Sequence, residues 1–344
     1  MMKSKKIVKI VYGIDISMDD FSVSNGEFFD NTEREVGNVK KFKNNANGFN
    51  KLFSYHQNQQ KKYDSEIPVW FVMESTGIYY ENLAYFLNEK GLNVHVALPN
   101  KIRNFARTLE IKSKTDALDT QVITLYGLEK QLRKWEPPDE EKKLLKELSR
   151  ELISTKEILA SIKNQLHSKH YAHKTNPGTM KRINEQIKFY KRLIKKIEKN
   201  IKEIIDENPE YKAKIEKITK LKGLGLQTVI SVLSETNDFR EMENRRQVTS
   251  FVGLDVVEHQ SGKKEGRRRI SKKGNSYVRK SLYMPALSAI KHDSKMKHLY
   301  ERVCERNGWK CKKSGVIAVM RKLLQIIFAL WKNDTEYNPN YGTT

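Results

Sequence analysis

Val69-Trp-Phe-Val-Met-Glu-Ser-Thr-Gly77 is a continuous apolar run closed by an acid and a glycine. A run this short with no polar alternation is a strand buried on both faces, and the amphipathic segment after it (Leu83, Phe86 and Leu87, stopped by Gly91) is a helix laid back on the sheet. Upstream, Ile7 to Ile16 is β-branched and apolar. Phe21 to Phe29 reads as its hairpin partner, with Asn25-Gly26 as a further turn signal. Downstream, Val94 to Leu98 is a short strand ended by Pro99, and a second helix follows through Ile102, Phe105 and Ala106. Residues 1–135 therefore read as an α/β domain in which an antiparallel meander precedes alternating β and α units.

The next stretch changes period. After Pro137-Pro138 the apolar positions Leu145, Leu148, Leu152, Thr155, Leu159, Ile162 and Leu166 recur every three or four residues. Past Asn176-Pro177-Gly178 the same spacing returns from Ile183 to Ile204. Two such helices joined by a Pro-Gly turn predict an antiparallel coiled-coil hairpin over 136–215; two core helices of a bundle would share the pattern. From 216 to 335 the chain reads as mainly helical around a basic centre, with 336–344 as a tail. Leu221-Lys-Gly-Leu-Gly225 before an apolar helix has the form of a helix-hairpin-helix turn, and equally of plain helix caps.

Charge narrows the partners. The 344 residues carry 65 Lys+Arg against 42 Asp+Glu, a formal net charge of +23, which calls for a polyanionic partner. A hydrophobic content of 38% excludes a disordered basic tail. The best membrane candidate, Val316 to Trp331, is broken by Arg321, Lys322 and Gln325, so no membrane partner is expected. Cys304 and Cys311 match no zinc module and fit a reducing cytoplasm. The densest basic run follows Ser261: Lys263, Lys264, Arg267, Arg268, Arg269, Lys272 and Lys273, with Arg279 soon after, stand against Glu265 alone. In a Gly-punctuated loop such cations can follow a phosphate backbone.

In so basic a chain, acids at the ends of core elements stand out. Asp15 closes the first strand and Glu74 the later apolar one, while Asp116 and Asp119 share a helix face. Converging, the four would repel one another unless cations neutralised them, as paired Mg²⁺ ions would at a phosphoryl-transfer site. Singly, each has another use: Asp15 in a turn, Glu74 at a helix start, Asp116 as an N-cap.

The order of these elements resembles the RNase H-like fold of RuvC resolvase. More closely, Met73-Glu-Ser-Thr-Gly77 and Lys114-Thr-Asp-Ala-Leu-Asp119 resemble motifs of the DEDD insertion-sequence transposases related to Piv DNA invertases. Gly223 to Leu233, Phe251-Val-Gly-Leu254, Ser261-Gly and Arg269-Ile-Ser-Lys-Lys-Gly-Asn275 with Arg279 resemble that family's C-terminal transposase domain, so the likeness spans nearly the whole chain. The chain departs in having Thr120, where the family usually has Ala, and Lys263-Lys-Glu after Ser261.

The resemblance implies a RuvC-like catalytic domain over 1–135 in which Asp15, Glu74, Asp116 and Asp119 bind two Mg²⁺ ions, with Mn²⁺ able to substitute. It implies a C-terminal transposase domain whose Ser261 attacks DNA to give a covalent phosphoserine. It further implies double-stranded DNA (element ends and target) as substrate, homodimers or homotetramers, a structured guide RNA in at least some members, and a cytoplasmic, nucleoid-associated location. Two alternatives stay open: a RuvC-like junction-resolving endonuclease using metal-activated water, and a non-catalytic nucleic-acid-binding scaffold.

Overall fold

A computed structural model describes residues 5–75, 77–109, 115–257, 260–261, 264–265, 269–306 and 308–338; for 260, 261, 264 and 265 the description is of the backbone alone. Helix accounts for 61% of the described residues. It divides into two compact units, Met1–Pro137 and Pro138–Thr344.

In the first unit β1 (Ile7–Ile16), β2 (Asp20–Phe29), β3 (Arg34–Val36) and β4 (Lys40–Lys43) lead through α1 (Ala46–Gln60) to β5 (Val69–Glu74). Then come α2 (Glu81–Glu89), β6 (Asn93–Ala97), α3 (Pro99–Thr108) and α4 (Asp116–Glu129). The sheet order is β3-β2-β1-β5-β6, with β4 also on β2. β2 lies antiparallel to β1, whereas β5 and β6 continue parallel to it. Direction reverses between β2 and β1, whereas connectivity diverges between the parallel neighbours β1, which leads outward to β2, and β5, which leads to β6; ligands of open α/β sheets gather beyond the carboxyl ends of strands at such a point.

The period of two along the strands sorts two cores. Ile10, Tyr12, Ile14 and Ile16 pack with Phe71 and Met73 in one core, together with Leu52, Leu83 and Leu87. Val11 and Val72 point the other way, into a core with Val122, Ile123 and Tyr126 of α4. Tyr12 and Phe71 stack at 4.9 Å between centroids, fixing the parallel register from the first side.

Asn25-Gly26 is not a turn, contrary to the sequence reading. It lies within β2 opposite Tyr12 and Val11, and the chain reverses earlier, where the Ser17 hydroxyl donates to the Asp20 carbonyl at 2.8 Å. The glycine has another reason. A Cβ on Gly26 would stand 2.7 Å from Thr124 Cγ2, and one on Gly13 would stand 2.4 Å from the Thr124 backbone nitrogen. Residues without side chains at 13 and 26 let α4 lie directly on the sheet. Gly13→Ala is expected to destabilise this unit by about 3 kcal/mol, because the obstruction is backbone and one element must shift; a midpoint unchanged in urea unfolding would refute the close packing.

The second unit opens with α5 (Glu140–His170) and α6 (Pro177–Asp206). Each buries one stripe, from Leu145 to Ile162 and from Ile183 to Ile205, and the stripes pack on each other with the remaining faces largely exposed. Asn176 caps α6 by accepting from Gly178 N at 2.8 Å. Then follow α7 (Pro209–Thr219), α8 (Leu226–Thr236), α9 (Arg245–Val252), four two-residue strands β7 (Val256–Val257), β8 (Gln260–Ser261), β9 (Lys264–Glu265) and β10 (Arg269–Ile270), α10 (Ser276–His292), α11 (Ser294–Arg306) and α12 (Lys312–Asn333). α12 is apolar and long enough to cross a membrane, yet Val319, Leu323, Leu324 and Ile327 are fully buried against its neighbours, as in a core helix. Gly223, at a φ of +96°, packs against the backbone of Pro285 and Ala289 in α10, so this glycine serves helix packing inside the unit.

Candidate active site

Asp15 and Glu74 arise from the parity that sorts the cores. Ile14 pairs with Met73, so one residue further on Asp15 stands level with Glu74, and both continue the Val11 and Val72 face toward α4. α4 runs antiparallel to β1. Its carboxyl end is held by Lys9, whose ammonium donates to the Gly127 carbonyl at 2.5 Å and the Lys130 carbonyl at 3.1 Å, satisfying terminal acceptors and opposing the negative helix end. Thr124 lies over Gly13. The amino-terminal turn of α4, with Asp116 and Asp119, is thereby carried toward the end of β1.

That end of α4 is capped by Thr115, whose hydroxyl accepts from Leu118 N at 3.2 Å. Asp116 is thus the first helical residue and not the cap. Thr120, the residue at which the chain departs from the family pattern, is fully buried. Its hydroxyl donates to the Asp116 carbonyl at 2.7 Å, and the Thr124 hydroxyl reaches the Ser24 carbonyl at 3.1 Å. The substitution to Thr is absorbed inside the helix.

The electrostatics report the convergence. Burial first, then the negative charges of Asp119, Glu74 and Asp116, push the Asp15 carboxyl up to about 6. Among the described residues, no three His, Cys, Asp or Glu side chains stand as a ready-made metal-ligand set. The chemistry of the four groups still fits a divalent cation: all are hard oxygen donors, and a raised proton affinity marks a place where positive charge is wanted.

In the second unit the motif residues build a clasp. Gly253 ends α9 at a φ of +73°, and Gly274 crosses so close to it that a Cβ would stand 2.3 Å from the Phe251 carbonyl. Asn275 N donates to that carbonyl at 2.9 Å, Lys272 N to Gly253 O at 3.1 Å and Ser271 N to Asp255 O at 2.9 Å. Between the two sides of this clasp lies an arm that holds two short pairings, β10 with β7 (Arg269 opposite Val257) and β8 with β9 (Ser261 opposite Lys264). Arg269, Lys272 and Lys273 are exposed at its base. Lys263, Arg267 and Arg268 lie outside the described residues, and Lys264 is described by backbone only. Arg279, a phosphate-contact candidate in the sequence, uses Nη1 to hold the Val252 carbonyl at 2.6 Å and the Gly274 carbonyl at 3.0 Å, which locks the clasp.

A further group escaped the sequence reading. Glu235 is buried; the Arg150 guanidinium binds it through two nitrogens and lies 4.5 Å over the Tyr277 ring, and Asn275 Nδ2 donates to Glu235 Oε2 at 2.6 Å. Asn275 also caps α10, accepting from Tyr277 N and Val278 N. A lone acid within the apolar run of α8 was the available signal, but its partners lie far off in sequence. Asn275→Ala is expected to cost about 1–2 kcal/mol, from the lost cap and the unpaired carboxylate oxygen; chemical denaturation that finds no loss would remove the clasp from the account.

Comparison with known families matches both halves of this description. A DEDD transposase model of the IS110 type, described as transposase, matches residues 12–170, and the transposase IS116/IS110/IS902 family model matches residues 215–301. The chain is a DEDD insertion-sequence transposase. The transposase is similar to the pilin gene-inverting protein of Moraxella bovis, 25% identical over 303 residues, which is 86% of this chain and 89% of the relative. It is also similar to the transposase for insertion sequence element IS1111A of Coxiella burnetii, 30% identical over 127 residues, 36% of this chain and 34% of that protein. The transposase is accordingly an enzyme of DNA recombination. The first match spans all four acids of the first unit, and the second spans Ser261 and the clasp.

Proposed function

We propose that this transposase cuts and exchanges DNA strands through a covalent phosphoserine on Ser261, assisted by divalent cations held by Asp15, Glu74, Asp116 and Asp119 in a RuvC-like, RNase H-type domain. The reading rests on the four acids lying close enough that, together with burial, the charges of Asp119, Glu74 and Asp116 raise the Asp15 carboxyl, these three being the other acids of the family motif. The sheet order and the switch point between β1 and β5 support the RNase H-type assignment. The four carboxylates would hold Mg²⁺, two ions suiting four acids, which when bound would neutralise charge developing on a phosphodiester.

The chain's own residues would do the rest. Ser261 Oγ attacks phosphorus and loses its proton to water; the new P–Oγ bond replaces the P–O bond to a deoxyribose oxygen, which leaves with a proton. The serine ester keeps the energy of the broken diester, so the reverse attack by another strand's hydroxyl rejoins DNA without ATP. Cations around the arm, Arg269, Lys272 and Lys273 among them, would hold the flanking phosphates. The family likeness extends the proposal to assemblies of two or four copies and to target choice through an element-encoded RNA.

Incubation with supercoiled element DNA and Mg²⁺, followed by detergent denaturation and peptide mapping, tests the proposal. A DNA-linked peptide containing Ser261 is expected. Cleavage without any protein–DNA linkage would support the junction-resolvase alternative instead, and binding without cleavage the scaffold.

A further inference from the structure

α6 carries nine Lys and Arg against four acids, and its charge is ordered. Lys181, Lys188, Arg192 and Lys195 are spaced by seven, four and three residues, so at 100° per residue they fall within an arc of about 60°. All four are exposed, and their row lies across the helix from the buried Ile187, Ile194 and Ile201. Glu185 is the one carboxylate in the sequence between Lys181 and Ile197. Among the described residues no ion pair engages any of the four, whereas Lys199 pairs with Glu203 and Lys156 of α5 with Glu198. A surface helix of a folded protein ordinarily intersperses charges of both signs along such a face.

The row runs about 21 Å along the axis, or about six base pairs of duplex at 3.4 Å per step. Near the turn, on the flank of α6 that carries Arg182 and Gln186 and not on the row itself, an open groove of about 680 Å³ between α5 and α6 is lined by Asn164, Gln165, Lys169, Thr179, Arg182 and Gln186. Amide and hydroxyl groups of this kind bond to sugar and phosphate oxygens. The apolar face of α6 is consumed by the seam with α5, so the helix cannot offer that face to a lipid surface as an interfacial helix does.

We infer that the outer face of α6 is a second nucleic-acid-binding surface, separate from the basic arm around Ser261, on which Lys181, Lys188, Arg192 and Lys195 grip the phosphate backbone of duplex DNA. The inference rests on the chain acting on nucleic acid, and binding is measured without divalent ion, so that it is read apart from cleavage.

The test uses the full chain with all four residues changed to Gln, and fluorescence anisotropy of a labelled duplex between about 50 and 200 mM salt. Each lost phosphate contact lowers the slope of log affinity against log salt by about 0.9 on DNA, so the slope is expected to fall by about three to four, with affinity at the lower salt reduced at least about tenfold. A control chain with Lys51, Lys61, Lys62 and Lys90 changed to Gln, which removes equal charge from the first unit, is expected to keep the slope. A chain with Lys181, Lys188 and Lys195 changed to Arg is expected to retain it as well, and circular dichroism checks that helix content is preserved. Duplex RNA of equal length forms a comparison arm, and a slope lost on RNA with none lost on DNA overturns the inference. The inference is overturned if neither arm changes, if the control loses as much, or if the Gln variant loses only binding to anionic vesicles.

Discussion

Ser261→Ala is expected to abolish the covalent protein–DNA adduct and to lower strand exchange by at least about a thousandfold, the scale on which removal of an activated nucleophile registers. The loss should be chemical and not structural. Ser261 is held in the arm by backbone pairing opposite Lys264, and those bonds survive loss of the hydroxyl. Duplex affinity and thermal midpoint are therefore expected to stay within error of the parent. Gel analysis after detergent denaturation, with anisotropy binding alongside, separates the readings. Undiminished cutting by the Ala variant would assign the attack to water and sink the phosphoserine mechanism.

Asp119→Asn is expected to test the proposed metal site through stability as well as activity. Without divalent ions the parent carries four mutually repelling acids, and Asp119 is the charge that acts most strongly on Asp15. The variant is therefore expected to be no less stable than the parent in chelator. With Mg²⁺ at a hundred times its dissociation constant the parent should gain about 2.7 kcal/mol, because the ion binds the folded form alone, and the variant should gain much less. Outer partners of metal ligands are worth 10- to 100-fold, so loss of a direct ligand should cost at least about a hundredfold in strand cleavage. An equal Mg²⁺-induced shift of the thermal midpoint in parent and variant would remove Asp119 from the site.

The same cluster sets a pH dependence. The Asp15 carboxyl is raised from 3.8 to about 6, so the folded unit keeps a proton that the unfolded chain has released. Metal-free stability from this group is full below about pH 4 and is lost as pH rises through about 6, and Asp119→Asn should flatten that fall.

Much of the candidate site was legible because strands and helices have short periods. Alternation from Val11 to Asp15 and from Val72 to Glu74 assigns both acids to the side of the sheet that α4 covers, and the three-residue step from Asp116 to Asp119 puts them in one helical turn. The seam of α5 and α6 was readable for the same reason. What failed were residues whose role depends on a distant neighbour. Gly26 looks like half of an Asn-Gly turn until Thr124, about a hundred residues on, is seen pressing against it. Glu235 looks like a stray acid in an apolar helix until Arg150 and Asn275 are found binding it.

The amino-acid sequence by itself determined the two kinds of architecture, the excess of positive charge, the candidate acids and serine, and membership in the transposase family. These are written in local period, composition and short motifs. Only the tertiary structure decided that β1 and β5 are adjacent and parallel, that α4 runs back over β1 with its first turn toward Asp15, and that Gly13, Gly26 and Gly127 exist to let it lie that close. The reason is physical. Proximity of carboxylates from three elements is a property of strand register and helix packing, which no local stretch of chain encodes, and only that proximity turns separate acids into a site that calls for a cation.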